Sequence, residues 1–321
     1  MNSVEQMILK PHPLSRLYPF FIWIIGVLCF TSSILFPLSP IPLALIGILY
    51  GRKNLIIFSF LSIIFVAILF KGHQGALLLS YSLGLAWIWS AFSRLKIPLV
   101  NFLIASVGGC FALFSVTLFF ISNGDIPAFI NNALLAELKQ FLEAPINQYP
   151  GFLNQAEVRE YILSKQPGVI AARITELLPG ILGSLVVLSS WLVVAIARAR
   201  KAVINLELPA SLTLWSTPAN FIWIVVVALP FSIWGTDTLK VFGITGLFIV
   251  GSCYFLHGFS IVRYWFLVRN VSRWIKAVAY FLIFLLYPFT SAIIGLGLFD
   301  PLLHFRERMQ SVNDEEEGEL I

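Results

Sequence analysis

Charged residues are scarce in this chain of 321 residues, because Asp, Glu, Lys and Arg together make up 12% of it. A soluble domain carries roughly 25%. Hydrophobic residues reach 59%, above the roughly 45–50% of soluble domains. This composition excludes a soluble enzyme, a disordered linker protein and a protein that binds nucleic acid through a broad basic surface. It predicts an all-α, polytopic transmembrane helical bundle that lies in lipid and has no nucleic-acid partner.

Cysteine, histidine and the motifs of catalysis are also rare or missing. The three cysteines, Cys29, Cys110 and Cys253, lie in separate apolar runs, where thiols pack as small hydrophobic groups. The four histidines lack the spacing of metal ligands, and no HExxH, GxSxG or GxxxxGKS/T motif occurs. We therefore predict no catalytic residue, no metal and no cofactor, so the chain is not expected to be an enzyme. Without a phosphate-binding loop, ATP-driven transport requires a separate ATPase partner.

Long apolar runs indicate the membrane spans. The candidates are 17–37, 40–50, 54–70, 75–92, 98–121, 175–197, 219–235, 240–262 and 276–299. A helix needs about 20 apolar residues to cross a hydrocarbon core of roughly 30 Å, so the second run is short for a full span. We predict eight or nine spans, and this choice decides on which side the chain ends.

The placement of Lys and Arg predicts the orientation. With residues 1–16 in the cytoplasm and nine passes, most of the 21 basic residues fall on the cytoplasmic side. Those residues are Lys10, Arg16, Arg52, Lys53, Arg94, Lys96, Arg198, Arg200, Lys201, Arg263, Arg269, Arg273 and Lys276. The excess predicts a multi-pass membrane protein with its N-terminus in the cytoplasm.

Four further segments complete the predicted organisation. The longest polar interruption, 122–174, carries apolar residues at three- and four-residue spacing, which predicts an amphipathic extracytoplasmic insertion. It is either a structured connecting loop or a lid over an outward-facing pocket. Residues 199–218 are predicted to be a cytoplasmic interfacial segment, and 219–299 the C-terminal transmembrane helices. Residues 300–321 are predicted to form an interfacial helix followed by an acidic tail.

Polar residues inside the apolar runs are the candidate ligand-binding residues, because they are costly in lipid. They are Tyr81, Trp87, Asn101 and His257. Each has an alternative role in packing, as a hydrogen-bonding partner of a neighbouring helix or as part of an interfacial aromatic belt. No Asp or Glu lies in the core of a confident run, which argues against a proton-coupled carrier.

The most distinctive local sequence lies near the C-terminus and contains Asp300, His304 and Arg306. The Asp300–Pro301 pair is typical of a helix start, and a helix from there would place Asp300 and His304 on one face. The motif is either an interfacial anchor or a binding and docking element.

Short segments carry a family resemblance. Tyr254-Phe-Leu-His-Gly-Phe259, and Gly295-Leu-Gly-Leu-Phe-Asp300 followed by Phe305-Arg306, resemble the YybS-like bacterial membrane proteins, a family of unknown function. Residues 36–51, a proline-rich entry into a short apolar run and a Gly-basic turn, are more distantly similar to the substrate-binding subunits of energy-coupling-factor vitamin transporters and to MreD-type shape proteins. The first resemblance implies a location in the bacterial cytoplasmic (inner) membrane, and the second implies a six-helix, S-component-like core over 17–198.

Two functions follow as hypotheses. In the first, the chain is the membrane-embedded binding subunit for uptake of a small-molecule ligand, with an outward-facing pocket lined by Tyr81, Trp87 and Asn101. In the second, it is a non-catalytic scaffold that docks cell-envelope or division proteins through small-residue faces, the segment 199–218 or the tail.

Overall fold

The chain folds into α-helices in a computed structural model that describes residues 17–32, 35–69, 73–143, 155–202 and 204–308. Within these residues no strand forms, and the isolated β-bridge there joins Pro98 to Glu207. The all-α prediction is confirmed. The predicted N-terminal segment and the acidic tail lie outside the described residues.

The helices are numbered in chain order. They are α1 (Tyr18–Thr31), α2 (Pro40–Tyr50), α3 (Arg52–Leu69), α4 (His73–Phe92), α5 (Leu99–Ser122), α6 (Ile126–Glu143), α7 (Gln155–Lys165), α8 (Pro167–Ala199), α9 (Phe221–Trp234), α10 (Asp237–Val268), α11 (Arg273–Leu285) and α12 (Tyr287–Leu303).

Four helices in the described part of the chain, α3, α5, α8 and α10, are long and apolar enough to cross a membrane, and α11 with α12 adds a fifth if the bent pair counts as one span. The apolar portions of α1, α2, α4 and α9 are shorter. For example, α1 and α9 have 14 residues each, or about 21 Å of helix at 1.5 Å per residue. The multi-pass helical architecture is confirmed, whereas the count of eight or nine spans is not.

The last predicted span, 276–299, is broken. α11 ends at Leu285, α12 begins at Tyr287, and the two helices are bent by 98°. Pro288 lies in the first turn of α12. Proline has no N–H to donate and its ring excludes the carbonyl one turn earlier, so α11 cannot continue through this position, whereas a first turn accepts proline readily.

The long helices α8 and α10 lie side by side and organise the bundle. The Ser184 hydroxyl of α8 donates to the Phe248 carbonyl of α10 at 2.9 Å. Gly180 and Gly183 face Phe248 and Ile249, so the two helices approach closely. Such packing of small residues stabilises helix pairs in lipid, where the hydrophobic effect does not drive helix association.

α10 and α12 approach most tightly at two glycines. A Cβ atom at Gly258 would overlap the backbone carbonyl of Ile293, and one at Gly297 would overlap the carbonyl of Tyr254. The obstacle at both positions is backbone, which cannot rotate away. This contact fixes α12 across α10 beside His257.

The connection between α8 and α9 is part of the bundle. The N–H of Asn205 donates to the Ser93 carbonyl and the N–H of Glu207 to the Ile97 carbonyl, both at 2.9 Å. Further along, Trp215 is buried. Leu212 and Trp215 of this segment belong to the buried core, and the predicted position of 199–218 at the cytoplasmic interface stays a prediction.

The predicted insertion forms α6 and α7, which pack against α8. At this end Glu176 lies 3.0 Å from Arg173 within α8 and 3.3 Å from Lys240, and the second ion pair links α8 to α10. Partly exposed pairs of this kind contribute little stability.

We expect Gly297→Ala to lower the free energy of unfolding by about 1–3 kcal/mol, the usual cost of overpacking. Gly295→Ala is the matched control on the same helix, because nothing lies within 4 Å of its added Cβ. Alanine also favours helix over glycine, so the control is expected to keep or slightly raise the unfolding temperature. Thermal unfolding of both variants in detergent measures the difference. Equal unfolding temperatures would contradict the tight α10–α12 contact.

Candidate functional site

The four candidate ligand-binding residues lie in different surroundings. Tyr81 is buried, and its hydroxyl donates to the Pro37 carbonyl at 2.9 Å. The Trp87 indole N–H donates to the Ser59 hydroxyl at 3.2 Å. Asn101 lies on the exposed face of α5. The structure does not gather these three side chains around one pocket, and their role in ligand binding stays a prediction.

His257, the fourth candidate, is 1% exposed within α10. Its Nε2 atom lies 3.0 Å from the Oδ2 atom of Asp300. The backbone N–H of Thr217 donates to Nδ1 at 3.4 Å. Because Nδ1 accepts a hydrogen bond, the proton of the neutral ring is on Nε2, which donates to the Asp300 carboxylate.

The structure corrects the prediction for Asp300 and His304. Asp300 lies in the last turn of α12 and does not begin a helix. His304 ends that helix with a left-handed backbone (φ 49°) and is exposed, so the two residues do not share a helix face. The reason is that Pro288 starts the helix upstream, and Pro301 is tolerated in its final turn. The second carboxylate oxygen of Asp300 instead accepts the N–H of Phe305 at 3.1 Å.

Arg306 completes a group of buried polar contacts. Its Nη1 atom donates to the Leu214 carbonyl at 3.2 Å, and Nη2 donates to the Trp215 carbonyl at 2.8 Å and to the Ser260 hydroxyl at 2.7 Å. Burial lowers the pKa of the Arg306 guanidinium, while the charge of Asp300 opposes that effect. Arginine nevertheless stays charged, so these acceptors offset the cost of removing the charge from water.

Ser260 and Thr217 connect these groups to the backbone. The Ser260 hydroxyl is 2.8 Å from the Trp215 carbonyl, and the Thr217 hydroxyl donates to the Cys253 carbonyl at 3.2 Å. We call the five side chains that share these contacts the polar cluster. Its members are Thr217, His257, Ser260, Asp300 and Arg306.

The polar cluster joins residues that the sequence singled out in two separate places. His257 came from an apolar run, and Asp300 and Arg306 from the C-terminal motif. Sequence reasoning missed Ser260, although its spacing of three from His257 puts both on one helix face. It also missed Thr217, for which the sequence held no signal. Asp300 follows the last predicted run, and folding brings its carboxylate against α10, so the absence of Asp and Glu from the cores of the runs still holds.

An apolar cavity of about 360 Å³ adjoins the polar cluster, between α5, α8, α9 and α10. Gly108, Val187 and Ile224 contribute to its walls. Trp215 and Cys253 line it too, and the backbone carbonyls of these two residues accept hydrogen bonds from the cluster. The volume is typical of a small-molecule site, roughly 300–1,000 Å³. The lining suits an apolar molecule or the apolar part of an amphiphile.

Among the described residues, no group of three or more His, Cys, Asp or Glu side chains is placed to hold a metal ion. The polar cluster offers one imidazole and one carboxylate, and the remaining charge is the Arg306 cation. A cation next to the pair disfavours a metal ion electrostatically.

We expect Asp300→Asn and His257→Gln each to destabilise the protein by about 1.5–3 kcal/mol, the range for hydrogen bonds to charged groups. The double variant is expected to cost less than the sum, because both changes remove the same contact. Thermal unfolding of the four proteins measures the coupling, with the exposed His304→Gln as a neutral control. Strictly additive costs would show that the two side chains act independently.

The comparisons with known proteins agree with a membrane-embedded helical bundle. No curated protein and no solved structure matches the chain. A family model described as "Predicted membrane protein (DUF2232)" matches residues 17–301, a range that includes His257 and Asp300 and stops before Arg306. The match supports the coarser prediction of a membrane protein of unknown function and does not support the YybS-like, energy-coupling-factor or MreD resemblance. The chain belongs to the DUF2232 family of predicted membrane proteins.

Proposed function

We propose that the chain is a non-catalytic, membrane-embedded protein that binds an apolar small molecule. The proposal rests on the cavity of about 360 Å³, in which Trp215 forms one wall, the cavity floor. Ser260 and Arg306 of the polar cluster hold this residue in place through hydrogen bonds to its carbonyl. An apolar cavity with one rigid wall is the arrangement that ligand sites commonly show.

The cavity reaches the outer surface of the bundle. Ile104 and Ile224 line it and are also 56% and 42% exposed. Both residues lie on helices that face lipid, so a molecule dissolved in the bilayer enters from the side without crossing water. This access favours a lipophilic ligand over a polar one.

The polar cluster gives the cavity floor a defined position. The Trp215 carbonyl accepts hydrogen bonds from both Ser260 and Arg306, and the indole ring packs edge-on against His257 with centroids 6.4 Å apart. A site that is held in place before the ligand arrives loses less entropy on binding. In this proposal the ionisable residues act through Trp215 and do not themselves react.

Transport is the process that this binding most simply serves. In an uptake role, a separate ATPase partner supplies the energy, because the chain has no phosphate-binding loop. We place the scaffold hypothesis second, because in the α8–α9 connection the backbone N–H groups of Asn205 and Glu207 already donate hydrogen bonds within the chain. Those groups are therefore not available to dock a partner.

We further propose that the protein lies in the bacterial cytoplasmic membrane with its N-terminus inside. Basic residues from several helices gather at one end of the bundle. Arg94 donates to the Gly47 carbonyl at 3.1 Å, Asn205 donates to the Arg94 carbonyl at 2.8 Å, and Arg200 interacts electrostatically with Tyr50. α6 and α7 lie at the opposite end of α8. This charge asymmetry is typical of a cytoplasmic face.

Cysteine labelling tests this orientation. In a Cys29→Ser background, we expect Lys139→Cys to react with a membrane-impermeant maleimide in spheroplasts, because the proposed orientation places α6 on the extracytoplasmic side. Lys201→Cys is expected to react only in inverted vesicles, because it follows the cytoplasmic end of α8. Both lysines are exposed in the structure, so burial does not limit either reaction. The reverse labelling pattern would contradict the proposed orientation.

Filling the cavity tests the binding proposal. A Cβ atom at Gly108 meets no atom within 4 Å, so the ring of a Gly108→Phe variant enters the cavity without a clash near the backbone. We expect this variant to carry about tenfold less bound apolar molecule than the wild type, a loss of about 1.4 kcal/mol in binding. Native mass spectrometry and solvent extraction of the purified protein measure the occupancy.

Gly108→Ala is the matched control for that experiment. It replaces the same glycine but leaves most of the cavity open, so the occupancy is expected to equal that of the wild type. Similar unfolding temperatures in the two variants would exclude misfolding as the cause of a loss. A wild-type protein that carries no apolar molecule, or equal occupancy in all three proteins, would contradict the proposed function.

A further inference from the structure

A second cavity, of about 620 Å³, runs between α1, α2 and α8. One end is apolar, with Ile25 and Leu38 among its walls, and the other end is formed by Tyr18, Tyr50 and Arg200. We call this cavity the α1–α2 groove. It combines a long hydrocarbon-lined channel with a cationic, hydroxyl-bearing mouth.

The length of the α1–α2 groove corresponds to one leaflet of a bilayer. Its lining on α1 extends from Tyr18 to Cys29, which is about 16 Å at 1.5 Å per residue. A hydrocarbon core is roughly 30 Å thick, so one leaflet is about half of that. The Tyr18 end lies on the side where the basic residues gather, so the mouth is at headgroup level and the channel at acyl-chain level.

The polar groups at the mouth are available to a ligand. Within the described part of the chain, no hydrogen bond or ion pair engages the Arg200 guanidinium or the hydroxyls of Tyr18 and Tyr50. Tyr50 is close enough to both Arg200 and Tyr18 to interact with them electrostatically. Arg52 and Lys53 follow Gly51, the residue after Tyr50, and are exposed, so the mouth is positively charged overall.

From this geometry we propose that the α1–α2 groove binds a phospholipid with an anionic headgroup. An acyl chain lies along Phe21, Ile25 and Leu45, all of which line the groove. The headgroup phosphate lies at the mouth, where Arg200 donates to its oxygens and the two tyrosine hydroxyls donate alongside. Arginine suits this role because its planar group donates two parallel hydrogen bonds to phosphate.

A membrane lipid fits the groove better than a soluble anion does. Phe21 and Ile25 are 56% and 54% exposed, and exposed apolar side chains of this kind face lipid in a membrane helix. A free phosphate would use only the mouth and would leave the rest of the groove without a partner.

This site is separate from the cavity of the proposed function. The groove uses Leu192 and Ile196 of α8 and Arg200 just after its end, whereas the other cavity uses Val187 on a different face of the same helix. A test of lipid binding in the α1–α2 groove is therefore independent of a test of the proposed function.

Native mass spectrometry of the delipidated full chain tests the proposal, with dioleoyl phosphatidylglycerol as the anionic probe and dioleoyl phosphatidylcholine as the zwitterionic one. We expect the first phosphatidylglycerol to bind more tightly than phosphatidylcholine. Arg200→Gln is expected to weaken phosphatidylglycerol about tenfold, equal to about 1.4 kcal/mol. Lys201→Gln removes the same charge from the next residue, which does not line the groove, and is expected to change the affinity less than about twofold.

A second pair of variants tests the acyl channel. Ile25→Trp blocks the groove and is expected to weaken both lipids, whereas Leu28→Trp changes an exposed residue of the same helix outside the groove and is expected to weaken neither. All four altered residues are exposed, so folding is expected to be retained.

Three results would overturn the proposal. Equal losses in Arg200→Gln and Lys201→Gln, or none in either, would show that binding follows only the general surface charge. Equal affinities in Ile25→Trp and Leu28→Trp would show that no acyl chain uses the groove. Displacement of the lipid by millimolar glycerol 1-phosphate would show that the mouth is a site for a soluble anion.

Discussion

Lipid offers no hydrogen bonds, and this constraint governs the C-terminal half of the structure. His257 is buried in a long apolar helix, and its two ring nitrogens require partners from elsewhere in the chain. The partners come from Asp300, 43 residues later, and from the backbone of Thr217. The hydrogen bonds of the His257 ring therefore require the α8–α9 connection and the end of α12 to pack against α10. The tight glycine contact between α10 and α12 makes that approach possible.

The same constraint explains why irregular backbone is tolerated near the cluster. Non-helical chain at membrane depth is acceptable only where protein surrounds it. The carbonyls of Leu214 and Trp215 are paired within the protein, because they accept hydrogen bonds from Arg306 and Ser260. An arginine thus bonds to groups that lipid would leave unpaired. Trp215, the floor of the adjoining cavity, is held in position because its carbonyl accepts these hydrogen bonds on the side away from the cavity.

The two cavities differ in a way that suggests different ligands. The one beside Trp215 is apolar on all sides and opens laterally past Ile104. The α1–α2 groove is apolar along its length and ends at Arg200 and Tyr50. A wholly apolar molecule gains nothing from a cationic mouth, whereas an anionic amphiphile requires one. Under the two proposals, the protein binds a lipophilic molecule in the first cavity and an anionic phospholipid in the second.

The sequence by itself determined the class of protein and the position of most helices. Run length, hydropathy and the sparse charges are local properties, so the runs behind α3, α5, α8 and α10 were recognisable directly. The tertiary structure alone decided which polar residues meet. Three of the polar residues found in apolar runs contact different neighbours, namely Tyr81, Trp87 and Asn101. The polar cluster instead brings together His257, Asp300 and Arg306. Contacts between residues so far apart depend on the way the helices cross, which no single segment encodes, even though Pro288 accounts locally for the 98° bend between α11 and α12.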